Sequence, residues 1–114
     1  MSTDLVQVTE KYFECIRAGD IGVAELFHED AELKGLGIIT RGKEDIRSFY
    51  QGVIENAGPS PTELDPKTIK DNRVFAEILI NVGDGTSIHA IDVFEIVEGR
   101  IKSLTYFAAD YPNE

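Results

Sequence analysis

The segment Thr86–Val97 constrains the fold most, because it places one carboxylate among the apolar residues of a strand. Its β-branched and aromatic residues predict a strand, and the side chains of a strand alternate between two faces. One of these faces consists of Ile88, Ala90, Asp92, Phe94 and Ile96. A carboxylate on such a face is costly unless it is hydrogen-bonded, paired or protonated. Asp92 therefore marks either a pocket or a structural site in which a backbone amide or a basic side chain satisfies it.

Length and charge limit the classes of partner. The 114 residues fit one domain spanning residues 1–114, and the net charge is −10 without any run of basic residues. We therefore expect neither nucleic acid nor a membrane surface as a partner. The chain contains no apolar run that could span a membrane, and its start does not resemble a signal peptide. Cys15 is its single cysteine. Together these features predict a cytoplasmic protein. We expect no cofactor and no metal, because His28 and His89 lack converging partners.

Helical spacing of apolar residues predicts three helices, all before the main run of strands. The first covers Thr3–Ala18, the second is a short helix over Ile21–Phe27 that Asp20 caps, and the third covers Lys43–Asn56. The inward stripe of the first helix contains Leu5, Val8, Tyr12, Cys15 and Ile16. The stripe of the third contains Ile46, Phe49, Tyr50 and Val53.

Strand patterns dominate the second half of the chain, after a short strand at Asp30–Leu33. The predicted strands there are Glu63–Lys70, Arg73–Val82, Thr86–Val97 and Arg100–Ala109, with tight turns at Gly83-Asp84-Gly85 and Glu98-Gly99. Helices segregated from strands predict an α+β fold. We expect three N-terminal helices packed on a strongly curved, mixed and mainly antiparallel sheet that encloses a hollow.

The pairing of the two central strands leaves two registers open. If Asp84-Gly85 is a two-residue turn, Glu77 lies opposite Asp92 on the same face, whereas a three-residue loop puts Ala76 or Ile78 beside the Asp92 face. The first register gives a concave face with Phe75, Glu77, Leu79, Ala90, Asp92 and Phe94. Its convex face contains Ala76, Ile78, Ile80, Ile91 and Val93. Because no helix remains to cover those residues, we predict a homodimer through the convex face.

Several short motifs recur in a characteristic order between residues 5 and 108. They are Tyr12, Ala18-Gly19-Asp20-Ile21, Asp30-Ala31, Arg41-Gly42-Lys43-Glu44-Asp45-Ile46, Phe49-Tyr50, Ile91-Asp92-Val93 and Gly99-Arg100-Ile101. Their order and spacing resemble the nuclear transport factor 2-like (NTF2-like) superfamily, in particular its ketosteroid isomerase and SnoaL-like (polyketide cyclase-like) branch. The resemblance implies a cone-shaped fold that is often dimeric.

The resemblance also implies catalytic roles. In ketosteroid isomerases, a tyrosine of the first helix and an aspartic acid of the sheet donate hydrogen bonds to the substrate oxyanion, and Tyr12 and Asp92 match those positions. The aspartate that acts as general base in those enzymes aligns at or next to Gly35, so Glu77 is the candidate replacement base. With the strand faces, this predicts a substrate pocket lined by Phe27, Tyr50, Phe75, Leu79, Phe94, Leu104 and Tyr106.

Two classes of function follow, both with a small apolar molecule as ligand. The first is isomerase or lyase chemistry on an apolar carbonyl compound, with Tyr12 and Asp92 stabilising the enolate oxygen. The second is a non-catalytic module that binds a hydrophobic ligand or serves dimerisation. A general base within reach of the ligand separates the two, and the glycine at position 35 weakens the first.

Overall fold

The computed structural model describes residues 2–56, 58, 60–81 and 87–109, without the side chains of residues 2–4, 65 and 66. The helical elements of this part are α1 (Ser2–Ala18), a 3-10 helix (Ile21–Leu26) and α2 (Lys43–Asn56). The strands are β1 (Phe27–Gly35), β2 (Ile38–Arg41), β3 (Ser60–Lys70), β4 (Arg73–Asn81), β5 (Ser87–Val97) and β6 (Arg100–Ala108). The predicted turn at Gly83-Asp84-Gly85 and residues 110–114 lie outside the described residues.

The α+β class is confirmed, but the expected set of three N-terminal helices is not. The second helical segment is a single 3-10 stretch, which the Asp20 carboxylate caps by accepting a 2.8 Å hydrogen bond from the Gly22 backbone N–H. A segment this short favours i→i+3 bonding. The chain enters β1 at Phe27, where a helix end was expected, and α2 comes only after β1 and β2.

The six strands form one sheet in the order β2-β1-β6-β5-β4-β3. The β1–β6 pair is parallel and the other neighbouring pairs are antiparallel, which confirms a mixed, mainly antiparallel sheet. Strand β2 is not among the predicted strands, and it forms a hairpin with β1. Leu36 and Gly37 make its turn with φ angles of 52° and 82°, and two positive φ angles are typical of a two-residue type I′ turn.

The register of β4 against β5 differs from the two-residue-turn prediction. Ala76 lies opposite Asp92, and Glu77 lies opposite Ile91. A slip of one residue transfers every side chain of a strand to the other face of the sheet. The face that carries Asp92 therefore receives Val74, Ala76, Ile78 and Ile80 from β4. Phe75, Glu77 and Leu79 lie on the opposite, convex face instead of the concave face that was predicted.

The helices pack on the face of the sheet that carries Asp92, and the core lies between them. Its fully or almost fully buried side chains include Phe13, Val23, Phe27, Ile46, Val74, Phe94, Ile101 and Leu104. Tyr12 of α1 and Tyr50 of α2 belong to the same cluster, so both helices direct a tyrosine toward the sheet. Among the described residues, no helix combines the length and apolar character needed to cross a membrane.

Candidate active site

A cavity of about 470 Å³ lies between the helices and the sheet face that carries Asp92. This volume is in the range that small-molecule sites occupy. Most of its wall is apolar, with side chains from both helices, the β1–β2 hairpin and the central strands. The hydrogen-bonding side chains deepest in this wall are Tyr12, Tyr50, Asp92 and Tyr106. The cavity therefore combines an apolar body with a small group of acids and hydroxyls.

Asp92 is the buried acid of this cavity. Its side chain lies in the middle of β5 and is only 4% exposed. Its Oδ1 atom is buried and has no hydrogen-bond partner among the described residues. Burial disfavours the charged form and raises the pKa of the Asp92 carboxyl to about 7. Near neutral pH, the group is therefore divided between its acid and carboxylate forms and can give or take a proton.

Tyr12 and Tyr50 form a hydroxyl pair beside this acid. Their hydroxyl oxygens are 2.8 Å apart, and one of the two donates to the other. Burial raises the pKa of both phenols. The pKa of Tyr12 is raised further by the neighbouring Tyr50 and then by the charge of Asp92. The charge of Asp92 also raises the pKa of Tyr50. Both phenols therefore stay neutral. Because their mutual bond uses one of the two protons, the other is left to be donated to a ligand or to a second acceptor.

Tyr106 completes the group from β6. It is the cross-strand partner of Asp92 on one side and of Gly35 on the other. Burial, and then the charge of Asp92, raise the pKa of the Tyr106 phenol. A Cβ atom added to Gly35 would lie 3.0 Å from the Tyr106 Cβ and 3.1 Å from Cδ2. The tyrosine thus occupies the space into which a side chain at position 35 would project, and an aspartate there would collide with it.

The predicted site residues fall into three groups. Tyr12, Tyr50, Asp92, Leu104 and Tyr106 line the cavity together. Phe27 and Phe94 were expected in the cavity wall, but they are fully buried and pack edge-on or tilted against the tyrosine rings, with centroid distances to Tyr12 of 6.4 and 5.2 Å. They hold the tyrosine rings in place from behind.

The third group is on the wrong face. Phe75, Glu77 and Leu79 lie on the convex side of the sheet because of the register of β4. The Glu77 Oε2 atom is 2.5 Å from His89 Nε2, and both side chains are largely exposed. Glu77 therefore cannot act on a ligand in the cavity, and its prediction as a replacement base is wrong.

Sequence reasoning missed two sets of cavity residues. The first comprises Ile78, Ile80 and Ile88 of the central strands, and the second comprises Leu36, Ile38 and Phe49. A signal for the first set was present, since Glu77 and Asn81 make one face of β4 partly polar while Val74, Ala76, Ile78 and Ile80 make the other wholly apolar. The apolar face belongs inside. For Leu36 and Ile38, the Gly35-to-Ile38 spacing was a hairpin signal, and Phe49 was already on the apolar stripe predicted for the third helix.

In the described part of the chain, no group of three or more histidine, cysteine, aspartate or glutamate side chains is arranged to hold a metal ion. Cys15 is buried in α1, and burial raises the pKa of its thiol, so the thiolate form that a nucleophile or ligand needs is disfavoured.

Comparison with known proteins gives one family match. Residues 9–104 match the model of the SnoaL-like domain. No curated protein matches the chain. A similar solved structure is that of a candidate polyketide cyclase from Sinorhizobium meliloti, with 21% identity and a TM-score of 0.82 over 93% of this chain and 98% of that one.

Two further structures show the same likeness. One is a candidate ketosteroid isomerase from Kribbella flavida, with 16% identity and a TM-score of 0.84 over 98% of this chain and 82% of that one. The other is an NTF2-like protein of unknown function from Cytophaga hutchinsonii, with 14% identity and a TM-score of 0.78 over 91% and 88%. At these identities the likeness establishes the NTF2-like fold, and the chemistry has to be argued from the cavity.

The contact between Gly35 and Tyr106 makes a prediction about stability. We expect Gly35→Ala to lower the free energy of unfolding by about 1–3 kcal/mol, because the new methyl group overpacks against Tyr106. Gly52→Ala is the matched control: it lies inside α2 with nothing within 4 Å of its added Cβ, and we expect a gain of up to about 1 kcal/mol. Urea denaturation measures both. Equal effects of the two variants would contradict the close approach.

The raised pKa of Asp92 makes a prediction about pH. The folded protein holds this proton up to about pH 7, whereas the unfolded chain releases it near pH 3.8, so the contribution of Asp92 falls as pH rises through this window. The loss is on the order of 4 kcal/mol. We expect Asp92→Asn to remove this slope and to exceed the wild type in stability at pH 8. Parallel curves of unfolding free energy against pH for the two proteins would contradict the prediction.

Proposed function

The chain belongs to the SnoaL-like domain family, as its motifs predicted. We propose that it binds an apolar carbonyl compound and catalyses proton transfer on this compound, in isomerase- or cyclase-type chemistry. The observation that carries this proposal is the single carboxyl group among the described residues that line the cavity. That group is Asp92, which is buried, has a pKa of about 7 and finds no hydrogen-bond partner for its Oδ1 atom in the described ranges. A base is most effective when its pKa is close to the working pH.

Asp92 takes the role of base because, within the described part of the chain, no other cavity-lining residue offers a carboxylate. In the proposed step, the Asp92 carboxylate removes a proton from the carbon next to the ligand carbonyl. The electrons of the C–H bond form the enolate double bond, and the carbonyl oxygen gains the negative charge. The Asp92 acid then returns the proton to another carbon, which isomerises the ligand. In the cyclase-type alternative, the enolate carbon attacks a second carbonyl of the ligand and closes a ring, and the Asp92 acid gives its proton to the alkoxide oxygen that this attack forms. This reverses the role that resemblance alone implies, in which Asp92 donates to the oxyanion.

The tyrosines supply the hydrogen bonds to the oxyanion. The Tyr12–Tyr50 pair has one hydroxyl proton beyond its mutual bond, and Tyr106 adds another hydroxyl next to Asp92. Neutral phenols in an apolar cavity are strong donors to a developing negative charge, because little water competes for it. The aromatic contacts of Tyr12 with Phe27 and Phe94 fix the ring, so the hydroxyl needs little reorganisation during the reaction.

The glycine at position 35 favours a second candidate function. Without a second carboxylate, the cavity can hold an apolar ligand through Asp92 and the tyrosines without transforming it. Binding without turnover is therefore the alternative. The two functions differ in whether Asp92 exchanges a proton with a carbon atom of the ligand or only with an oxygen atom.

We also propose that the convex face associates with a second copy of the chain. In the observed register, Ala76, Ile78 and Ile80 face the cavity and cannot contribute to this association. The proposal of a dimer is supported instead by exposed apolar residues of β5 and β6. Phe107 is 58% exposed and Ile91 is 41% exposed, and the two are cross-strand partners. We expect light scattering at micromolar concentration to give a dimer mass and Phe107→Glu to give a monomer. A monomeric wild type would contradict this proposal.

Hydrogen–deuterium exchange at carbon tests the catalytic proposal without knowledge of the natural substrate. We expect the protein to accelerate exchange of the α-protons of an apolar ketone such as β-tetralone in D2O, followed by NMR. The rate above background should rise with pH around a midpoint near 7, because the carboxylate is the active form. Asp92→Asn should lower the rate about 100-fold or more. Tyr12→Phe should lower it about tenfold to a hundredfold.

Glu77→Gln is the control for this experiment, since it changes a carboxylate on the other face of the sheet and should leave the exchange rate unchanged. Ketone binding that depends on Asp92, without any acceleration of exchange, would support the binding function instead. Equal loss of exchange in Glu77→Gln and Asp92→Asn would contradict the assignment of the base.

A further inference from the structure

The mouth of the cavity is formed by apolar side chains that face both the cavity and the outside. Leu36 and Ile38 of the β1–β2 hairpin are 51% and 63% exposed, and Phe49 of α2 is 44% exposed. All three line the same cavity as Asp92. The Phe49 ring is in edge contact with the Tyr50 ring, at a centroid distance of 5.3 Å. The apolar wall is therefore continuous from the hydroxyl pair to the outer surface of the hairpin.

The sheet register connects the acid to this mouth in one row. Asp92 pairs with Tyr106, Tyr106 with Gly35, and Gly35 with Ile38, across four neighbouring strands. Three strand spacings separate the ends of the row, which is roughly 14 Å. Because Gly35 has no side chain, the Tyr106 ring lies close against its backbone. The cavity that Asp92 lines continues past Tyr106 and Gly35 to Leu36 and Ile38, so a ligand that extends from Asp92 along the Tyr106 ring reaches the hairpin.

We propose that Leu36, Ile38 and Phe49 form an outer subsite that holds the apolar tail of an elongated ligand whose carbonyl end lies between Asp92 and the tyrosines. This rests on the proposed function for the position of that carbonyl end. The apolar tail of the ligand occupies this outer subsite, because Leu36, Ile38 and Phe49 continue the wall of the cavity that Asp92 lines. A ligand that ends at Tyr106 would leave them exposed to water, whereas a ligand about as long as the row covers them.

The apolar wall of the outer subsite favours a neutral tail. Lys34 is the basic residue among the described cavity-lining residues, and it and Arg41 both lie against Glu32, with distances of 3.9 Å from Lys34 Nζ to Oε1 and 3.1 Å from Arg41 Nε to Oε2. A tail that ends in a carboxylate would lose its hydration against Leu36, Ile38 and Phe49, so it is disfavoured relative to an alkyl or aryl tail. The ligand class is a neutral, elongated compound with one carbonyl or hydroxyl oxygen at its inner end.

A series of para-alkylphenols tests the outer subsite. The phenol hydroxyl probes the inner group of Asp92 and the tyrosines, and the alkyl chain is lengthened from ethyl through butyl and hexyl to octyl. For wild-type protein, calorimetry should give an affinity that increases about fourfold for each buried methylene group, up to the longest chain that the row accommodates. Ile38→Ser should weaken binding of the octyl compound at least about fourfold and leave ethylphenol unchanged. The octyl analogue with a terminal carboxylate should bind more weakly than octylphenol.

Ile39→Ser is the matched control. Ile39 follows Ile38 in the same strand, is 50% exposed and points to the other face, away from the cavity. It should bind the whole series as the wild type does. Both isoleucines are exposed, so both variants should fold, and thermal unfolding checks this.

The outcomes separate this inference from the proposed function. If ethylphenol binds with dependence on Asp92 but the gain with chain length is the same in Ile38→Ser and wild type, the outer subsite is wrong and the inner site stands. Equal weakening of octylphenol by Ile38→Ser and Ile39→Ser would also overturn the subsite. If no member of the series binds the wild type, the inner site and the outer subsite both fail.

Discussion

The desolvation of one carboxyl group determines how the cavity works. Asp92 is buried in the middle of the sheet, its Oδ1 atom has no partner among the described residues, and the helices and the apolar strand face shield it from bulk solvent. Above neutral pH the buried Asp92 carboxyl must become charged, which lowers the stability of the folded state. Such a group persists only where the surrounding packing is stable without it, and its raised pKa makes it suited to proton transfer near neutral pH.

The surroundings of Asp92 are built from pairs that constrain one another. Tyr12 and Tyr50 come from different helices, and their hydroxyl bond requires both helices to sit at the correct height above the sheet. Tyr106 can lie beside Asp92 because Gly35 leaves room for its ring. This glycine stands where the resemblance implies a base. The same residue thus removes one catalytic option and makes room for the Tyr106 hydroxyl beside Asp92.

The sequence predicted α2 to the residue, most strand bounds within a few positions, and the burial of Asp92, because these depend on local periodicity. It did not settle the register of β4, since both faces of that strand contain large apolar residues and a one-residue slip exchanges them. Phe75, Glu77 and Leu79 were assigned to the wrong face for this reason. The overlap of Gly35 and Tyr106 was beyond prediction, since it depends on a parallel pairing between strands about seventy residues apart.

The most direct test of this account is the pKa of Asp92 itself, measured by the pH dependence of its carboxyl-carbon NMR signal and assigned with Asp92→Asn. We predict a midpoint near pH 7, because burial disfavours the charged carboxylate and no described residue donates a hydrogen bond to its Oδ1 atom. A midpoint near the ordinary value of about 3.9 would contradict it. Asp92 would then be a solvated or paired structural carboxylate, and the proposed proton transfer would lose its base.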